Sequence, residues 1–151
     1  MTAVVLVALA AWASVADARS RTIPNTCCVA VAACGLVLQA VRVWWPGHAA
    51  GLPEPVACVG WAAGILVVGV GGEFLLRTLT GRVGVGLGDV KYVAAWACTL
   101  GWYVLAGLGV ACLLGAAWAL ARRQSTFAMA PWLSAAFVFL LLTLGIPDVV
   151  V

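Results

Sequence analysis

The chain has 151 residues, 66% of them hydrophobic and only 9% charged, with a net charge of +3 and a mean hydropathy of +1.16. A soluble domain carries about 25% charged residues, so this composition excludes a water-clothed globular enzyme and predicts an all-α polytopic membrane protein in one domain spanning residues 1–151. The apolar runs are continuous rather than alternating, which disfavours a membrane β-barrel.

Six apolar segments follow in chain order, giving about six transmembrane helices: 2–16, 23–44, 55–76, 88–100, 103–121 and 131–146. The first holds no lysine or arginine before Ala16. The small-residue stretch Ala10-Ala-Trp-Ala13 therefore lacks the basic region of a cleaved signal, and the segment reads as a retained helix with its N-terminus outside. Pro24, Pro55 and Pro131 stand near segment starts, where a missing N–H costs little. Trp44-Trp45-Pro46-Gly47 reads as an interfacial aromatic anchor followed by a turn. In the third segment, Gly69-Val-Gly71-Gly72 reads as close packing or a kink. Glu73 and Arg77 are spaced to pair across one helical turn. Gly101-Trp102 is the turn between the fourth and fifth segments. His48 and Glu54 fall in an outer loop, and Asp148 terminates the last segment at the interface.

Cys27, Cys28, Cys34, Cys58, Cys98 and Cys112 form no C-x-x-C pair and read as small buried hydrophobes rather than a zinc site. No metal, cofactor or nucleic-acid partner is expected.

Charge placement sets the topology. Alternating segments put Arg19, Arg21, Arg77, Arg82, Lys91, Arg122 and Arg123 on one side and only Arg42 on the other. This asymmetry assigns the basic side to the cytoplasm. It brings Asp17, at the end of the first segment, and Asp89, at the start of the fourth, to that same face. A carboxylate at a membrane boundary is costly and marks a functional site. A helix over 2–16 falls short of the roughly 30 Å hydrocarbon core, so either the bilayer thins or the helices run on past the aspartates.

Both aspartates stand in short motifs. Asp17 opens Asp17-Ala-Arg-Ser-Arg-Thr-Ile23-Pro24-Asn25, and Asp89 closes Gly86-Leu-Gly88-Asp89. Glycines beside a carboxylate let backbone approach closely, here a substrate strand. Two neighbouring carboxylates share a proton, so one can activate water while the other polarises a carbonyl. Helix dipoles, taken segment by segment, put an anion at the favoured N-terminal end for Asp89 and the disfavoured C-terminal end for Asp17. That makes Asp17 the protonated member.

Asp-x-Arg-x-x-x-Ile-Pro-Asn after a first helix, followed by Thr80-Gly-Arg-x-Gly-x-Gly-x-Gly-Asp-Val-Lys91 before a fourth, resembles the type IV prepilin peptidases. These are GxGD-type membrane aspartic proteases. Phe127-Ala-Met-Ala-Pro131-Trp is similar, more loosely, to that family's Pro-Phe-x-x-Pro-Phe stretch. The resemblance implies cleavage of the basic leader of prepilins or pseudopilins. It places Asp17 and Asp89 as the catalytic pair and Gly86, Gly88 and Lys91 in the motif loop. The long bacterial form adds a cytoplasmic domain with paired C-x-x-C motifs and methylates the new terminus. Here the first cytoplasmic loop is only about Asp17 to Asn25, so methylation is not expected, and the chain resembles the compact peptidases of tight-adherence pili and archaeal preflagellin peptidases. A GxGD protease with another substrate, a noncatalytic scaffold and a small proton or ion transporter are the alternative readings.

Overall fold

A computed structural model describes residues 2–45, 51–81, 86–123 and 128–145. Six helices follow in order: α1 (Thr2–Ser20), α2 (Asn25–Trp44), α3 (Pro55–Thr80), α4 (Leu87–Leu100), α5 (Tyr103–Arg122) and α6 (Ala130–Gly145). The described residues hold no strand, and α1, α2, α3 and α5 are long and apolar enough to cross a membrane. With the shorter α4 and α6, the architecture is all-α and fits about six membrane helices. His48, Arg82, Phe127 and Asp148 lie outside the described residues.

The predicted segments are recovered, with α1 and α3 running four residues further, to Ser20 and Thr80. The helices do continue past the first aspartate. α1 has 19 residues, about 28 Å, and carries Asp17 in its last turns. Arg21 stops it in the left-handed region at φ 52°, with its N–H on the Asp17 carbonyl. Pro24 then holds an extended backbone at the start of α2.

α4 is the centre of the bundle. From Val90 to Leu100 only Lys91 is exposed. α4 packs against α2, α3, α5 and α6, while the outer helices touch in the order α3, α2, α1, α6, α5. Among the described residues α5 and α3 do not meet, so the five outer helices form an arc with one opening. The α4–α6 seam is cemented by Tyr92, Trp96 and Phe137, all fully buried, with ring centroids 5.6–6.4 Å apart.

The end of the bundle away from the aspartates is tied by polar contacts. Arg42 donates to the carbonyls of Leu52 and Pro53, each at 2.8 Å, and to Gln39 Oε1 at 2.7 Å. Gln39 donates in turn to the Thr99 carbonyl at 3.0 Å, joining α2 to the end of α4. The predicted turn is seen at Gly101, whose φ of 55° and crowding by Pro53 and Cys58 leave no room for a side chain. The cysteine expectation holds for Cys27, Cys28, Cys58 and Cys98. Cys34 is half-buried and Cys112 is exposed, facing outward from the apolar helix α5.

Candidate active site

Up-and-down connection of six helices puts the ends of α1, α3 and α5 beside the starts of α2, α4 and α6. Asp17 and Asp89 therefore reach the same end of the bundle, together with Arg19, Arg21, Arg77, Lys91, Arg122 and Arg123. Arg42 stands at the opposite end.

Asp17 is 6% exposed, and its Oδ2 accepts the backbone N–H of Ala130 at 3.0 Å. Ala130 is the first residue of α6, whose leading N–H groups have no partner within the helix. Asp17 thus leaves the end of α1 but sits at the beginning of α6. The dipole argument from sequence considered only the helix on which Asp17 stands. The structure adds a second helix, and both its N–H donor and its positive end suit a carboxylate at Asp17.

Asp89 lies in the first turn of α4 and is half-buried. The turn is closed by the Asp89 and Val90 N–H groups on the Gly86 carbonyl, at 3.0 and 3.2 Å. Asp89 thus stands at the same end of the bundle as Asp17. Their relation is fixed through the core: Tyr92, three residues after Asp89, shares a 2.7 Å hydrogen bond with Ser134, four residues after Ala130. Both partners are buried, which makes the bond costly to break.

The motif glycines have different neighbours. A Cβ on Gly86 would stand 3.1 Å from Asp89 Oδ2, so Gly86 leaves room for the carboxylate itself. A Cβ on Gly88 would meet Ile23 at 3.8 Å, an ordinary contact. Gly88 thus faces the Ile23-Pro24-Asn25 segment, bringing the two motifs together. Lys91 turns to another side of α4, as its spacing from Asp89 requires, and donates to Asn25 Oδ1 at 3.2 Å.

Glu73 was read from sequence mainly as the partner of Arg77. That pair is present at 2.6 Å. Glu73 is also 4% exposed and lines, with Asp89, a cavity of about 610 Å³ between α3, α4 and α5. Its one sequence signal was an acidic residue deep in an apolar run. Met129, next to Ala130, lines the same cavity and links it to the Asp17 side. Among the described residues no cluster of His, Cys, Asp or Glu could hold a metal ion.

The comparisons with known proteins agree with this arrangement. A family model described as the type IV leader peptidase family matches residues 4–146. No curated protein and no solved structure matches the chain. The match runs from the start of α1 past the end of α6 and takes in both aspartate motifs, so the chain belongs to the type IV leader peptidase family.

Proposed function

We propose that this peptidase removes the basic leader of type IV prepilins or pseudopilins at the cytoplasmic face of the cell membrane, with Asp17 and Asp89 as an aspartic dyad. The observation that carries this reading is geometric: both motif aspartates stand at one end of the bundle, and Met129, beside the Ala130 that binds Asp17, lines the same cavity as Asp89. Two such carboxylates do not both ionise cheaply, so the pair holds one proton.

Asp17, with the Ala130 N–H on its Oδ2, takes the ionised role and draws a proton from the attacking water. Asp89 carries the proton and donates it toward the scissile carbonyl. Water oxygen bonds to the carbonyl carbon, and the carbonyl oxygen gains the proton from Asp89. Collapse breaks the C–N bond as the amine leaves with the proton held at Asp17 and one hydroxyl of the gem-diol returns its proton to Asp89, which restores the starting pair. The basic end of the bundle faces the cytoplasm by the positive-inside effect, where an uncleaved basic leader also resides. The mature product keeps a free α-amine, because the short first loop offers no site for a methyl donor.

Co-expression with a candidate prepilin tests the reading. The prepilin is expected to shorten on a gel, and mass spectrometry is expected to place the cut between leader and apolar segment with an unmethylated terminus. An intact leader beside folded, membrane-inserted protein would overturn the peptidase assignment. Proton flux through liposomes without cleavage would favour the transporter.

A further inference from the structure

The opening in the helix arc has a definite shape and chemistry. One face of α3, recurring at Trp61, Ile65, Val68 and Leu76, forms one wall. Val93 of α4 forms the floor and Leu108 of α5 the far wall. From Trp61 to Leu76 the face runs about 22 Å at 1.5 Å per residue. Gly64 and Gly72 lie on this face with nothing within 4 Å of an added Cβ, so an apolar helix can approach the α3 backbone closely there.

The groove is continuous with the candidate site. Gly69 packs directly on Val90, which sets Asp89 beside the C-terminal half of α3. Glu73 then lies about one turn beyond Asp89 toward the basic end of the bundle. An extended or helical chain in the groove passes Asp89 first on one side and Glu73 next on the cytoplasmic side. A second groove, between α2, α3 and α4, has Lys91 at the corresponding end and does not include Asp89. A basic leader is repelled there and attracted at Glu73.

We propose that the α3–α4–α5 groove is the docking site for the substrate, with the apolar segment of the prepilin running from Asp89 toward Trp61 and a leader lysine or arginine meeting the Glu73 carboxylate. This rests on the leader-peptidase reading above and adds the path of the substrate and a specificity residue. Glu73 is held in place by Arg77, whose Nε donates to Oε1. A carboxylate accepts from more than one donor, so a leader cation can join this pair.

The test uses the full-length protein in membranes with a prepilin that it processes. With native cysteines replaced and Asp89→Asn to halt turnover, Gly64→Cys is expected to form a disulfide with a cysteine placed about five to nine residues beyond the cut. Ala32→Cys, in the second groove, is expected to form none. Gly64→Leu should raise the KM for prepilin about tenfold or more, and Ala32→Leu should leave it unchanged. Glu73→Gln should raise KM with little change in kcat, and the rise should vanish for a leader whose facing lysine or arginine is replaced by glutamine. Equal cross-linking from both grooves, or an unchanged KM in Gly64→Leu, would overturn the groove. A KM rise in Glu73→Gln that persists with the neutral leader would overturn the role of Glu73. Cross-linking at Gly64→Cys by a chain whose Asp89-containing form never cleaves would keep the groove and overturn the peptidase reading instead.

Discussion

Asp17 and Ala130, 113 residues apart, are joined by a 3.0 Å hydrogen bond from the backbone of α6 to the carboxylate of α1. As the proposed catalytic partner of Asp89 and as a cap on α6, Asp17 has two separable roles. Asp17→Asn keeps an oxygen for the Ala130 N–H, whereas Asp17→Ala leaves that donor buried and unmatched. Asp17→Ala should therefore unfold more readily in detergent, by about 1–3 kcal/mol relative to Asp17→Asn. Equal melting of the two variants would remove the capping role.

Tyr92 and Ser134 hold the starts of α4 and α6 in register. Tyr92→Phe leaves the buried Ser134 hydroxyl without its partner and should cost about 1–2 kcal/mol of stability. Because the same contact sets Asp89 relative to Asp17, processing should fall several-fold while a substrate's binding holds. Undiminished turnover in a measurably destabilised Tyr92→Phe would show that the two helix starts are aligned by other contacts.

Lys91 sits in the motif but is directed away from Asp89, toward Asn25. Exposed polar pairs of this kind contribute about 0–1 kcal/mol. Lys91→Met and Asn25→Ala should each lower stability slightly, and the double variant no further than one of them. Processing should stay within a few-fold of the parent. A loss of a hundredfold or more in Lys91→Met would mean that the ammonium acts on the substrate.

The pH profile should be bell-shaped. If the two aspartates work as one acid–base pair, they share a single proton over a window of pH. Below the window both carboxyls are protonated and no base remains; above it both are ionised and no acid remains. Initial rates in proteoliposomes, with the substrate's own integrity checked at each pH, should fall on both flanks. A profile that keeps rising through alkaline pH would argue against a shared proton.

Much of this architecture was legible in the sequence. Pro24, Pro55 and Gly101 marked turns that the structure contains, and the two motifs lie against each other where Gly88 faces Ile23. What was not legible follows from the solvent. In a membrane chain, apolar side chains face both lipid and core, so hydropathy could not show that α4 is enclosed while α3 is largely bare. The segment Asp17-Ala-Arg-Ser20 is charged, so the apolar run ends at Ala16, yet alanine and arginine favour helix and α1 continues. The bond to Ala130 and the place of Glu73 beside Asp89 depend on long-range packing, which spacing along the chain does not encode. The dipole argument for Asp17 counted only α1, because the start of α6 beside it was not legible for the same reason.

Orientation in the membrane is open to direct labelling. In a background without native cysteines, Gly81→Cys and Arg123→Cys, at the basic end, should be shielded from an impermeant thiol reagent in intact cells. Trp45→Cys, on an exposed residue of the opposite end, should react. Reversed labelling would put the aspartates on the outer face and remove the substrate from their reach.

The central claim is that Asp17 and Asp89 act as one catalytic unit, and the most direct measurement is the cleavage rate of purified prepilin by Asp17→Asn, Asp89→Asn and the double variant in proteoliposomes. Groups that work as a unit are lost as a unit, so each single change is expected to reduce the rate about a thousandfold or more, and the double variant no further. Circular dichroism and insertion should match the parent. Cleavage by either folded single variant within about tenfold of the parent would contradict the dyad.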